Sequence, residues 1–315
     1  MSHGLADMAG SLTYFGLLAS APGLVALVSV ANLFGQGRKA VDALLSTLDD
    51  VSSGSALALV ANPLRALGQS PAVGLTIVVS VLLSIWAISS YVAAFGRSLN
   101  RIYEVVEGRP IWKLKPFQLL VAMALIVLVV IAVAALVLTE PIAEGMGDRF
   151  GLGSGPLTTW SIVKWPMLVI TVVLIVMVLN YATPNLHQPK IRWLSAGASL
   201  SVIVLVGVSL LFSLYVRDIA HFDHTYRSFA GFVVVLVWLW ISNLTLLFGA
   251  EFDAQFERAR ELQSGIVAEG HIQLPHRETE ASERAARNRQ GDIELGREVR
   301  EDSAARRRAS EEQAP

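Results

Sequence analysis

The chain has 315 residues, of which 53% are hydrophobic and only 16% charged. An ordinary soluble protein carries about 25% charge, so these residues cannot cover a water-exposed globule, and the absence of Cys excludes disulfides, thiolate metal sites and cysteine nucleophiles. The net charge of -1 is uninformative, because it averages a nearly charge-free region with a tail after Ala250 that is crowded with Arg and Glu.

Six apolar stretches, at about 11–34, 71–95, 117–138, 165–181, 194–216 and 229–250, dominate the chain. Each is close to the ~20 residues with which an α-helix crosses a ~30 Å hydrocarbon layer. The N-terminus MSHGLADMAG lacks the basic region of a cleaved signal, so the first stretch is expected to be retained. Between the first two spans, residues 36–70 are too long for a hairpin and too polar to span. Val41, Leu44, Leu45 and Leu48 place a stripe on one helical face, and a second helical piece near 55–60 stops at Asn62-Pro63, giving a helical excursion that caps or gates the bundle. After the second span come Arg97, Arg101, Arg109, Lys113 and Lys115, and after the fourth Lys190 and Arg192. By the positive-inside rule these loops, and with them both termini, face the cytosol, which makes the excursion extracytoplasmic. Trp112, Trp160, Trp165 and Trp193 fall near span ends, whereas Trp86, Trp238 and Trp240 are expected to pack between helices. Beyond residue 260 the chain loses large apolar residues and gains Gly265, Gly270 and Pro275, which predicts a disordered cytosolic tail over 261–315. Its 280–308 run can turn transiently helical through i, i+4 charge pairs.

Chemistry-bearing clusters are few. Glu140, Glu144 and Asp148 are interrupted by Pro141, Gly145 and Gly147, and the inferred topology puts them outside, away from any RNA. His221-Phe222-Asp223-His224 has ligand types for a cation, but short polar loops hold such residues for ordinary reasons, and the glycine-rich 145–155 segment lacks the strand that a phosphate loop needs. No catalytic residues, metal or cofactor are expected. Within the spans, Asn243, flanked by Ser242 and Thr245, is the clearest polar side chain, and Pro22-Gly23 can interrupt the first helix. Asn243, Pro22 and Gly23 therefore mark a candidate transport path, although Asn and Pro in membrane helices also serve packing alone. Spans free of Asp, Glu, Lys and Arg at mid-depth argue against a proton-coupled carboxylate relay. Gly16 with Ser20, Ser195 with Ser199, and Ser209 with Ser213 are small pairs four apart that suit close helix packing. At the cytosolic end of the last span, Glu251 is expected to join an interfacial charge network with Arg101, in a loop anchored by Tyr103 and Trp112.

TYRSFAGFVVVLVWLWISNLTLLFGAEFDAQFERAR (225–260), SLNRIYEVVEGRPIWK (98–113) and SLTYFGLLASAPGLVALVSVANLFG (11–35) together resemble the YihY/BrkB family of bacterial inner-membrane proteins, once labelled ribonuclease BN. The piece ELQSGIVAEGHIQLPHRETEASE resembles the form found in actinobacterial members. Arg227 stands where the family usually has Gly, and the helix that normally precedes the first span is nearly absent, as a late-assigned start would make it. The resemblance implies an all-α polytopic inner-membrane protein, with a six-span membrane domain over 1–260 followed by the tail. The function expected is transport or flipping of a lipid-linked or amphiphilic envelope component, the alternative being a non-transporting scaffold for envelope assembly. The expected partners are membrane lipids and an envelope amphiphile, with no nucleic acid and no ribonuclease activity.

Overall fold

The computed structural model describes residues 4–33, 73–137, 155–186, 196–219 and 227–312, with isolated positions at 38, 41, 42, 45 and 65. Seven helices follow one another: α1 Leu5–Leu33, α2 Val73–Ile102, α3 Ile111–Val137, α4 Gly155–Ala182, α5 Ala196–Ile219, α6 Arg227–Gln263 and α7 Glu280–Glu312. Five of the first six carry a stretch long and apolar enough to cross a membrane, and α5 carries a shorter one, Ala196–Phe212. The protein is thus an all-α polytopic membrane protein. Leu82 and Trp86 of α2, Leu120 and Met123 of α3, Ile170 of α4 and Leu210 and Leu211 of α5 are all exposed, as befits helices whose outer faces meet lipid rather than water. Trp86 corrects the expectation of interhelical packing, since its ring is 60% exposed on that outer face. Trp238 and Trp240 are likewise about one-third exposed. The predicted excursion lies almost wholly outside the described residues, though Val41 and Leu45 of its stripe are helical and buried.

α1 packs on α2 and α6, α5 on α6, and α3 between α2 and α4. The core gathers toward one end of the bundle, where Met8, Ala9 and Leu12 of α1 meet Val92, Phe95 and Leu99 of α2 and Leu247, Ala250 and Ala254 of α6. Because early residues of α1 meet late residues of α2, those two helices run antiparallel. α5 and α6 approach through small residues. A Cβ added at Gly249 would collide with the Ser201 side chain, and one at Gly197 with the Gly249 carbonyl. Asp253 of α6 accepts a hydrogen bond from the Gly197 amide at 2.7 Å, satisfying an orphan donor at the start of α5 and placing negative charge on its positive dipole end. Of the expected small pairs, Gly16 rests against the Tyr91 ring, while the tightest crossing uses Gly197 and Ser201, four apart but in a different register.

The core-rich end is also the basic end. There α2 stops at a turn in which the Val105 amide donates to the Asn100 carbonyl and the Glu104 amide to that of Arg101, a Schellman arrangement with Glu104 at φ 57°. α6 ends the same way: Ile266 donates to Glu261 and Gly265 to Leu262, with Gly265 at φ 78° supplying the left-handed residue that glycine adopts without a Cβ penalty.

From that turn the chain doubles back, and the expectation of a disordered tail fails. Residues 266–279 form an extended strap in which Ala268, Ile272 and Leu274 are buried. The Gln273 amide donates to the buried Glu261 carboxylate at 2.9 Å, and Leu186 and His276 form an isolated antiparallel bridge. Beyond it, α7 is a continuous helix over 280–312, exposed from 283 to 307 and carrying the pairs Arg284–Glu280 and Arg287–Glu283 at i, i+4. Three apolar side chains and a handful of backbone hydrogen bonds order the strap, too weak a pattern to register against a glycine- and proline-punctuated sequence.

Candidate functional site

The polar residues converge beneath the 103–110 loop, at the basic end. Glu107 and Arg109 are two apart in sequence, and the turn through Gly108 folds them into a bidentate pair. Arg109 Nε donates to Glu107 Oε1 and Nη2 to Oε2, each at 2.7 Å, while the Asn100 amide donates to Oε2 at 3.0 Å. Burial alone would raise the Glu107 carboxyl, but the Arg109 hydrogen bonds and charge, with the Asn100 amide, outweigh it and hold the group below its ordinary value. Arg109, itself buried, also donates to the Thr183 carbonyl at 2.8 Å and lies over the Phe117 ring at 5.9 Å.

That carbonyl lies just beyond the end of α4, where the last turn of any helix leaves carbonyls without intrahelical donors. A second arginine completes the cap from the strap: Arg277 donates to Leu186 at 2.7 Å, to Ala182 at 3.2 Å and to Tyr181, with its guanidinium over the Tyr181 ring. Two cations on a helix C-terminus also oppose its negative dipole end. Asn185, fully buried, ties the pieces together. Its amide donates to the Val106 and Glu278 carbonyls at 3.1 and 2.9 Å, its Oδ1 accepts from the Glu278 amide, and its own amide N–H donates to Asn100 Oδ1 at 2.8 Å. Gly108 sits under the crossing strap so closely that a Cβ would overlap the Glu278 carbonyl.

Between α2 and α3, under this cap, lies a cavity of about 280 Å³. Val92, Ala93, Gly96 and Arg97 line it from α2, and Leu114, Lys115, Phe117 and Gln118 from α3, with Glu107, Arg109 and Thr183 forming its roof. The lining is apolar on the bundle side and cationic at the rim. Gln118 is buried, and its Oε1, closed to solvent, has no hydrogen-bond partner, a costly state for a buried polar atom.

The residues picked out by sequence fall elsewhere. Asn243 of α6 is buried, its Oδ1 accepting from the Tyr91 hydroxyl at 2.7 Å and its amide donating to Thr13 Oγ1 at 3.3 Å. It fastens α1, α2 and α6 together. Pro22 and Gly23 are half-buried in α1, which continues through them as helix, and they lie at least nine residues, ~14 Å of helix rise, from Thr13, so the three are not gathered into one site. Arg101 is exposed, and Glu251 accepts from Gln255 at 2.9 Å. The ion pair described between the loop and α6 is Arg258–Glu104, at 2.9 Å, with the charges on opposite partners from those anticipated. Asn100, Glu107, Gln118, Asn185 and Arg277 carried no motif. Their only signal is polarity near span ends or, for Arg277, in the segment after the last span, which does not reveal partners 79 to 96 positions away. The 221–224 cluster lies outside the described residues, and among the described residues no group of three His, Asp or Glu could hold a metal ion.

Comparison with known proteins places this architecture. A family model described as Virulence factor BrkB matches residues 1–269. The chain is 24% identical over 251 residues to the ribonuclease-like protein YfkH of Bacillus subtilis, covering 80% of this chain and 90% of that one. It is 29% identical over 272 residues to a UPF0761 membrane protein of Aromatoleum aromaticum, covering 82% of this chain but 62% of that relative's length. A UPF0761 membrane protein of Tolumonas auensis is 30% identical over 81 residues, a quarter of each chain. No solved structure matches. With the match running from the first residue to beyond the end of α6, the chain belongs to the BrkB family of membrane proteins.

Proposed function

We infer that the protein moves a lipid-linked or amphiphilic envelope component across the bacterial cytoplasmic membrane, with its basic end in the cytosol. The observation that supports this is the cavity between α2 and α3, polar and cationic at its rim, apolar inside, and holding the unpartnered Gln118. A head-and-tail molecule needs those two chemistries side by side. α3 and α2 present exposed aliphatic faces beyond it, so such a molecule enters sideways from the leaflet. Asn243 is read as a fastening point, because both ends of its amide are occupied by side chains of neighbouring helices. Pro22 is the better candidate for a place where α1 bends during transfer, since it removes the amide donor that the Leu18 carbonyl would otherwise meet.

Among the described residues, no catalytic constellation lines the cavity. Glu107, the carboxylate nearest the cavity, is fully engaged by Arg109 and Asn100, and a general acid or base needs a titrating, accessible group. Depletion in cells separates transport from scaffolding. If the protein transports, an amphiphilic envelope precursor accumulates in the cytosolic leaflet on depletion and clears on re-expression. An unchanged leaflet distribution with failing envelope integrity contradicts transport and favours the scaffold.

A further inference from the structure

The cap at the basic end consumes two cations, Arg109 and Arg277, and one carboxylate, Glu107, and leaves Arg97, Lys115 and Gln118 over. Glu107 is neutralised by Arg109, so it does not offset the rim. Arg97 and Lys115 both line the cavity, both are exposed, and neither has an ion-pair partner among the described residues. Arg109 uses Nε and Nη2, and Nη1 carries no described hydrogen bond. Gln118, 9% exposed, lines the same space, with its Oε1 buried and unpaired.

The depth of these groups matters. Gln118 lies seven residues into α3 from Ile111, about 10 Å along the helix, and Arg97 lies five residues before the end of α2. Both therefore sit at the boundary where headgroup phosphates lie rather than in the hydrocarbon core. The volume of about 280 Å³ is at the lower edge of the ~300–1,000 Å³ that small-molecule pockets occupy, enough for a headgroup but not for acyl chains. Leu119, Leu120 and Met123, exposed on α3 immediately beyond the cavity, offer those chains a surface outside it.

We propose that this cavity binds the headgroup of an anionic glycerophospholipid. The phosphate sits among Arg97, Lys115 and the unused edge of Arg109, the Gln118 side chain turns its buried, unpartnered Oε1 to accept from a headgroup hydroxyl, and the acyl chains run along α3. Basic pockets between membrane helices on the cytosolic side hold acidic lipid headgroups by this chemistry. The proposal deepens the reading of the cavity as a docking place for an amphiphile by naming the chemistry of the head, and it holds whether or not transfer follows binding.

The test uses the full chain purified in detergent and native mass spectrometry after equilibration with phosphatidylglycerol, phosphatidylcholine or inorganic phosphate. The expected result is retention of a single phosphatidylglycerol per chain in preference to phosphatidylcholine. Arg97→Gln combined with Lys115→Gln weakens that retention about thirtyfold, the effect of two interfacial cations. Gln118→Leu weakens it too, and Gln118→Glu, which keeps a polar group of the same size, weakens it further by setting a carboxylate against the phosphate. Arg101→Gln, at the exposed end of α2 and outside the cavity, leaves retention unchanged. Melting temperatures of the same samples show that each variant is folded. Equal phosphatidylglycerol retention by wild type and the Arg97, Lys115 double variant overturns the proposal. So does displacement of the lipid by millimolar inorganic phosphate, which identifies a free-phosphate site. Retention lost in the variants while lipid transfer is lost only in part supports the site, and retention indifferent to the variants while transfer persists sinks the site and leaves the transport reading standing.

Discussion

At the scale of single residues, buried polar side chains rather than apolar ones decide how this bundle closes. Glu107 is the clearest case. Its folded-state value lies below that of an unfolded glutamate, because Arg109 and Asn100 favour the charged form despite burial. A depressed carboxylate adds stability above its unfolded pKa, ~4.3, and loses it as pH falls through the folded value. Glu107→Gln should therefore lower stability near pH 7 by about 2 kcal/mol, less than the ~3–5 kcal/mol for a fully buried pair because the carboxylate is 30% exposed. The gap between variant and wild-type melting temperatures should close below about pH 4, and a gap that stays constant with pH would mean that the charge is not what holds the loop. Asn243 makes the complementary prediction. Asn243→Leu strands the Tyr91 hydroxyl and removes the donor to Thr13, whose hydroxyl keeps its bond to the Ala9 carbonyl, so it should cost about 0.6 kcal/mol per interhelical hydrogen bond while specific transfer activity per folded molecule is retained. Activity abolished in a protein that melts normally would put Asn243 back on the path.

At the scale of elements, the strap is where sequence and structure part company. The apolar runs announced α1 to α6 because a membrane helix must be apolar along its whole length, and the Arg and Lys between the second and third runs marked the basic end. Residues 264–279 offered no comparable pattern, since their order comes from Asn185 and Arg277, satisfied by backbone groups more than 90 positions away, and from Glu261, which accepts from the Gln273 amide across a turn. Gly108 is legible only afterwards, as the one residue type that fits under Glu278. Gly108→Ala should lift the strap from the loop, and limited proteolysis should then cleave within 266–279 while the six-helix bundle stays intact. Protection equal to wild type would show that the strap is held by its α4 contacts alone. The α5–α6 crossing teaches the same lesson. Small residues four apart were expected at helix contacts, but which pair makes the contact depends on the helical rotation, and Asp253 capping α5 fixes that rotation from the neighbouring helix.

At the scale of the whole molecule, the class of protein was written in composition, and the location of the cavity was not. Asn243 and Pro22-Gly23 stood out because they are unusual within apolar runs, whereas Gln118, Arg97 and Lys115 look ordinary near span ends. Only the packing of α3 on α2, with the end of α4 close over α2 where the Thr183 carbonyl lies 3.2 Å from where a Cβ on Gly96 would be, turns them into one site. The proposed orientation rests on the same charges. Reporter fusions after Gln263 should be active only as cytosolic reporters, and fusions within 36–70 only as periplasmic ones; the reverse pattern would turn the basic end outward. The most direct measurement is lipid transfer in proteoliposomes, reading the bleaching of a fluorescent phosphatidylglycerol analogue by an outside reductant. The account predicts bleaching beyond the outer-leaflet fraction with wild-type protein, and markedly slower transfer with the Arg97→Gln, Lys115→Gln double variant at equal folded protein. Wild-type vesicles that bleach no further than protein-free ones would contradict it.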